Sequence, residues 1–201
     1  LLVNKEDARE TTFYIGGAGI RRDNPDFVAI DVVNTVFGGR FTSWLNDELR
    51  VNSGLTYGAR SGFSPLKHSG TFSISTFTAT KTTEATLDKA LQVLDSLHKK
   101  GIDEKTLTSA KNYVKGQFPP KYETPSQLAG LLTQMFWYGF NESYINNFQS
   151  NVDGLTVAKS REIINKYFPK NNLQFVLIGK AEDIRSIAAK YGAVTEKQIK
   201  A

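Results

Sequence analysis

The stretch FGGRFTSWLNDELR, Phe37 to Arg50, continues as VNSGLTYG through Gly58, and its reading decides the fold. Gly38-Gly39 stops a helix that brings Phe27, Ile30, Val33 and Phe37 onto one face, with Pro25 in its first turn. Thr42 or Ser43 then caps a second, short helix through Leu45 and Leu49, which ends near Gly54. Beyond that turn the period changes from helical to alternating. Tyr57, Ala59, Ser61 and Phe63 share one face, with Gly58, Arg60 and Gly62 on the other. After Ser64-Pro65-Leu66 a second alternating run starts at Gly70 and completes an antiparallel hairpin. Its apolar positions are Phe72 and Ile74, then Phe77 and Ala79, and this change of phase predicts a bulge or the end of pairing near Thr76.

Working outward, Leu1 to Val3 and Thr12 to Ile15 read as strands, and Gly16-Gly17-Ala18-Gly19 breaks the second of them. Leu87, Ala90, Leu91, Leu94 and Leu97 form a helical stripe closed by Gly101. Asp103 caps a helix carrying Leu107, Ala110 and Val114 as far as Pro119-Pro120. Thr124-Pro125-Ser126-Gln127 is a capping box that launches Leu128, Leu131, Leu132 and Met135. Shorter helices follow around Tyr144 to Phe148 and from Thr156 to Tyr167. Leu173 to Ile178 is apolar enough for a buried strand, and a last helix holds Ile184, Ile187, Ala188 and Tyr191. Strands early, helices in the middle and one late strand predict an α+β fold, with an antiparallel or mixed sheet of about four to six strands against a layer of helices. The chain reads as one domain over 1–201, with 193–201 a fraying tail.

Composition removes several chemistries. The 201 residues contain no Cys, which excludes disulfides, thiolate metal sites and Cys nucleophiles. His68 and His98 are far apart and read as surface residues, and no HExxH or inverted HxxEH pair exists. No plausible Ser-His-Asp set is present. Gly17-Ala18-Gly19 lacks the third glycine of a dinucleotide fingerprint, and no P-loop lysine follows it. The net charge of +5 is spread along the chain and reads as a solvated surface with no nucleic-acid footprint. No apolar run is long enough to span a bilayer. The chain opens on Leu1-Leu2-Val3 without a Met or a signal peptide, so it reads as a piece of something longer. The periplasm or cell envelope and the cytoplasm of a bacterium both fit it.

The segment from Phe37 to Gly58 resembles the insulinase/pitrilysin zinc peptidases. There, paired glycines precede a helix of the form F-S/T-S-x-L-x-x-x-L-R, followed by G-L/Y-T/G-Y. Gly19-Ile20 through Pro25-Asp26-Phe27 fits the approach to the first helix, and the order of elements fits as far as Gly179. Arg40, directly after the glycines, departs from relatives that carry a small residue there.

The resemblance implies half of a clam-shell peptidase. One half carries zinc on an HxxEH motif. The other lacks zinc and contributes an Arg and a Tyr, seven residues apart, that reach the substrate near the scissile bond; Arg50 and Tyr57 stand at that spacing. This chain is then the non-zinc, substrate-binding half of an endopeptidase acting on peptides or unfolded segments, inactive alone, with no cofactor of its own. Its partners are a zinc-bearing HxxEH half, in the same polypeptide or a separate subunit, and a peptide substrate. Gly38 and Gly39 read either as a helix stop or as backbone that a bound peptide approaches closely. Phe41 is a substrate-binding candidate whose other reading is core packing. Spacing alone would leave Arg50 a helix-end cation and Tyr57 a strand aromatic. Core subunits of respiratory complex III resemble the same fold and act as scaffolds, which gives the competing expectation of an inactive interaction subunit.

Overall fold

A computed structural model describes residues 1–199. Six strands form one mixed sheet in the order β3-β4-β2-β5-β1-β6. The strands are β1 (Leu2–Asn4), β2 (Glu10–Ala18), β3 (Ala59–Pro65), β4 (Gly70–Ala79), β5 (Gln174–Gly179) and β6 (Glu196–Gln198). β2 lies antiparallel between β4 and β5, and β1 runs parallel to both β5 and β6. The expected α+β class and mixed sheet are what the chain forms.

Alternation decides which face of the sheet is covered. Thr11, Phe13 and Ile15 of β2 are buried, as are Phe72, Ile74, Thr76 and Thr78 of β4, while Tyr14 and Phe77 between them are exposed. One face therefore carries the core and the other stays open. On the covered face, α3 (Thr83–Lys100) contacts β4 and buries Leu87, Ala90, Leu94 and Leu97. Behind the hairpin, α1 (Phe27–Asn34) contacts α4 (Glu104–Gln117) and α8 (Val157–Tyr167). The rings of Phe37, Phe63, Phe72 and Phe168 meet where these layers join, at centroid separations of 4.9 to 6.3 Å.

Local signals place several ends where the sequence puts them. The Asp103 side chain accepts from the Thr106 N–H at 2.8 Å at the start of α4. Thr124 and Gln127 form the capping box of α5 (Pro125–Tyr138). Gly101 and Gly139 close α3 and α5 at φ of 68° and 79°. Two short helices, α6 (Ser143–Asn146) and α7 (Phe148–Asp153), lead to α8, and α9 (Ala181–Ala188) follows β5.

Elsewhere the structure corrects the sequence. β4 pairs with β2 without a break from Thr71 to Ala79, so no bulge forms near Thr76, but its pairing with β3 does end there, at Ala59 opposite Thr76. The residues that continue the buried face are Thr76 and Thr78, and the apolar Phe77 points outward. β2 runs through Gly16 and Gly17 to Ala18. A Cβ on Gly16 would lie 2.1 Å from the Phe72 carbonyl oxygen, so only glycine lets the two strands approach there. The tail expected to fray is a strand over Glu196–Gln198, paired with β1 and held by a two-bond fork from Arg185 to Glu196; 200–201 lie outside the described residues. His98 is buried rather than on the surface, and burial favours its neutral form. Arg22, expected among solvated charges, is also buried, its guanidinium 4.1 to 4.8 Å from the ring centres of Phe27, Phe140 and Tyr144. The stripe of α5 buries only Leu131, and Leu128, Leu132, Phe136 and Trp137 face outward.

Candidate functional site

The segment from Phe27 to Asn52 folds as two helices that each widen into a π-helical turn. α1 continues as a π-turn over Thr35–Gly39, and α2 (Trp44–Asn46) continues as a π-turn over Asp47–Asn52. Such turns shift the residues after them around the helix axis and concentrate at functional sites. Of the two possible caps, Ser43 is the one used, its buried hydroxyl facing the Asn46 N–H at 3.5 Å.

Between the first π-turn, the end of the second and the start of β3 lies a groove of about 450 Å³. Every residue singled out from the sequence lines it: Gly38, Gly39, Phe41, Arg50 and Tyr57. The Arg50 guanidinium lies 4.6 Å from the Phe41 ring centre and 5.0 Å from that of Tyr57, so the charge is held between two aromatic faces. Each such contact contributes about 0.5–1 kcal/mol at an exposed site. Phe41 and Tyr57 are 68% and 77% exposed, which rules out core packing for Phe41. Among the described residues, neither the Arg50 guanidinium nor the Tyr57 hydroxyl has a hydrogen-bond or ion-pair partner, and both donors face open space.

Buried polar side chains hold this arrangement from behind. Asn46 donates to the Phe41 carbonyl at 2.7 Å and accepts from the Ala59 N–H at 3.2 Å, bracketing the groove from both sides. Asn34 donates to the Ser61 carbonyl at 3.1 Å and accepts from the Ser61 hydroxyl at 2.7 Å, which fixes the first π-turn to β3. Two threonines of β4 secure the loop on either side of Tyr57. Thr78 donates to the Leu55 carbonyl at 2.6 Å, and Thr76 donates to the Gly58 carbonyl at 2.8 Å and meets the Thr56 hydroxyl at 2.7 Å. Gly54 makes the turn into that loop at φ 60°. Tyr57 thus precedes β3 instead of opening it.

The paired glycines separate on inspection. Gly38 is buried, and a Cβ there would stand 2.3 Å from the Ser61 hydroxyl and 2.5 Å from the Ser61 nitrogen. Gly39 is exposed beside the groove. Gly38 is therefore required for packing, and Gly39 is the one a ligand can approach.

The groove is cationic. Arg40, Arg50 and Arg60 line it, together with the aromatic rings of Phe77 and Tyr113, and no carboxylate does. Sequence reasoning missed Asn46, Arg60, Phe77 and Tyr113. Asn46 sat inside the quoted segment as a polar position in an amphipathic helix, a detectable signal, whereas Tyr113 arrives from α4 and has none. Among the described residues no group of three or more His, Cys, Asp or Glu side chains could hold a metal ion. No helix among them is long and apolar enough to cross a membrane.

Comparison with known proteins identifies the family and the fold. A family model described as "Peptidase M16 inactive domain" matches residues 1–114. A protein of Helicobacter pylori (strain ATCC 700392 / 26695) described as "Non-peptidase homolog YmxG" is 26% identical over 180 residues, which is 86% of this chain and 40% of that protein. The crystal structure of a peptidase M16 inactive domain from Pseudomonas fluorescens superposes with a TM-score of 0.81 at 27% identity, over 99% of this chain and 45% of the other. A chain of complex III2 from Candida albicans shares the fold with a TM-score of 0.77 at 13% identity, over 92% of this chain and 46% of the other. This chain spans less than half the length of each of these relatives. With over half of its length matched by the family model, the chain belongs to the peptidase M16 inactive-domain family.

Proposed function

We propose that the groove is the substrate-binding surface of the non-zinc half of an M16 endopeptidase that hydrolyses peptides or unfolded segments in an enclosed chamber. The observation that carries the reading is the Arg50–Tyr57 pair, stacked and without other partners at the groove wall. A guanidinium and a phenol side by side supply converging donors for a peptide carbonyl. Donors aimed at an oxygen that gains charge during hydrolysis contribute roughly 3 kcal/mol each in a water-poor site. Zinc is expected with an HxxEH-bearing partner half, outside this chain, and nothing assigned to Arg50 or Tyr57 runs through it.

The test is kinetic. In the full-length protein with its partner half, Arg50→Ala is expected to lower turnover of an unstructured peptide on the order of a hundredfold. Tyr57→Phe is expected to lower it less, because the ring that stacks on Arg50 is retained. Unchanged turnover in both variants would remove these roles. The second reading is an inactive scaffold, favoured by the non-peptidase description of the H. pylori relative. It predicts no zinc-dependent cleavage by the full-length protein and no HxxEH pair in it or in an associated subunit.

A further inference from the structure

The groove's charge is more specific than peptide binding alone requires. Arg40, Arg50 and Arg60 face one space, and among the described residues none of the three is in an ion pair. Other arginines are neutralised locally, Arg21 by Asp23 and Arg185 by Glu196. The acids nearest in sequence to Arg50 turn away. Asp47 and Glu48 line a separate groove on the other side of α2, where Lys89 and Lys100 accompany them. One short helical segment thus sorts its charges, with carboxylates towards α3 and the cation towards Tyr57.

Arg40 is also held in place. Its Nη1 donates to the Ser109 hydroxyl at 3.1 Å, its guanidinium lies 5.9 Å from the Tyr113 ring centre, and its buried Nε has no acceptor. A guanidinium held by Ser109 and Tyr113 loses little freedom when its exposed edge meets an anion. Arg60, on the edge strand β3, lines the same groove.

We propose that the groove selects an acidic peptide segment, with Arg40 and Arg60 receiving carboxylate side chains on either side of the backbone held by Arg50 and Tyr57. This rests on the reading of the groove as a peptide site. A carboxylate matches the planar fork of a guanidinium. The aromatic walls of Phe41, Phe77 and Tyr113 leave room for the apolar parts of a peptide. A nucleic-acid strand would need cations continuing along its phosphates beyond the groove. The cations of the adjoining α2–α3 groove stand among Asp47 and Glu48 instead.

The experiment measures fluorescence anisotropy with the full-length protein and three labelled, unstructured peptides of one length. One is rich in Asp and Glu, its twin carries Asn and Gln at those positions, and the third carries Lys. The acidic peptide is expected to bind about tenfold more tightly than its amide twin at low salt, from two exposed charge pairs. That preference shrinks as salt is raised. The double variant Arg40→Gln/Arg60→Gln is expected to bring the two peptides within about twofold of each other. Equal binding of the acidic and amide peptides to the parent overturns the proposal. So does a preference that survives the double variant, or tighter binding of single-stranded DNA of equal length. Arg50→Ala separates the layers. Peptide binding that falls with Arg50→Ala but ignores peptide charge overturns this inference alone, and binding that ignores both overturns the groove as a peptide site.

Discussion

Gly38→Ala puts a single methyl group where the groove's wall is tightest. Two effects oppose each other. Gly38 sits in a helical turn without positive φ, so alanine reduces the freedom of the unfolded chain and contributes about 0.5–1 kcal/mol in favour of folding. Against this, the new Cβ stands 2.3 Å from Ser61 Oγ, 2.5 Å from Ser61 N and 2.8 Å from Leu45 Cδ1. Leu45 can rotate, but the Ser61 nitrogen is backbone of β3. Reaching ordinary contact needs a shift of roughly 1 Å between the π-turn and the strand. That shift stretches both Asn34–Ser61 hydrogen bonds, at 2.7 and 3.1 Å, each contributing about 1 kcal/mol. With overpacking of about 1–3 kcal/mol, the net expectation is a loss of about 2–4 kcal/mol. Urea unfolding followed by far-ultraviolet circular dichroism measures it. Ser61→Ala on the same background removes the hydroxyl and leaves the backbone clash, so it should not restore stability. A Gly38→Ala protein within about 0.5 kcal/mol of the parent would refute the argument, as would rescue by Ser61→Ala.

Three further expectations follow from the same geometry. Thr78→Val keeps the shape of the side chain but leaves the Leu55 carbonyl without its donor, and should cost about 1–3 kcal/mol with faster amide exchange around Tyr57; unchanged exchange there would show that β4 does not hold the loop. Asp31 has its carboxyl raised above the usual range by burial, with Lys121 and Arg22 opposing only in part. A raised carboxyl destabilises the fold at pH values above it and ceases to do so when the unfolded chain is also protonated. Asp31→Asn should therefore be more stable than the parent at pH 7, with the gain vanishing as pH falls below the ordinary value of 3.8, and a gain independent of pH would contradict this. Phe136→Ser removes a side chain that is 90% exposed and should change the unfolding free energy by less than about 0.5 kcal/mol.

What the sequence made legible was whatever its punctuation encodes locally. Gly54, the Asp103 cap and the Thr124–Gln127 box set element ends by backbone chemistry that needs no distant partner. The grouping of Gly38, Phe41, Arg50 and Tyr57 was legible because they lie within one helix–turn–strand segment. Illegible features depend on partners far along the chain. Thr76 and Thr78 continue the buried face because loop carbonyls satisfy their hydroxyls, so apolar periodicity followed Phe77 instead and suggested a bulge. β6 is three polar residues whose pairing with β1 leaves no compositional trace. The α5 stripe has the periodicity of a core helix, and nothing in its own residues reports that the fold leaves it open. Arg60 and Tyr113 read as ordinary surface positions until β3 and α4 bring them to the groove.

The residues that build the groove and those that face it are separate sets, and this decides how functional variants can be interpreted. Asn34, Asn46, Thr76, Thr78 and Gly38 are buried and hold the two π-turns and the Tyr57 loop against the hairpin. Arg40, Arg50, Tyr57 and Arg60 project into the groove, and none belongs to the core. Truncating a facing residue removes at most two cation–π contacts, as at Arg50, or one such contact and one exposed hydrogen bond, as at Arg40, small against the cost of breaking the buried set. On the proposed reading, the buried set supplies the shape of the groove and the facing set supplies its chemistry. A chain that kept the groove for shape alone would have no physical need of an arginine held between two exposed aromatic rings. The stacked Arg50 between Phe41 and Tyr57 is thus the feature that favours a ligand-binding role over a purely architectural one.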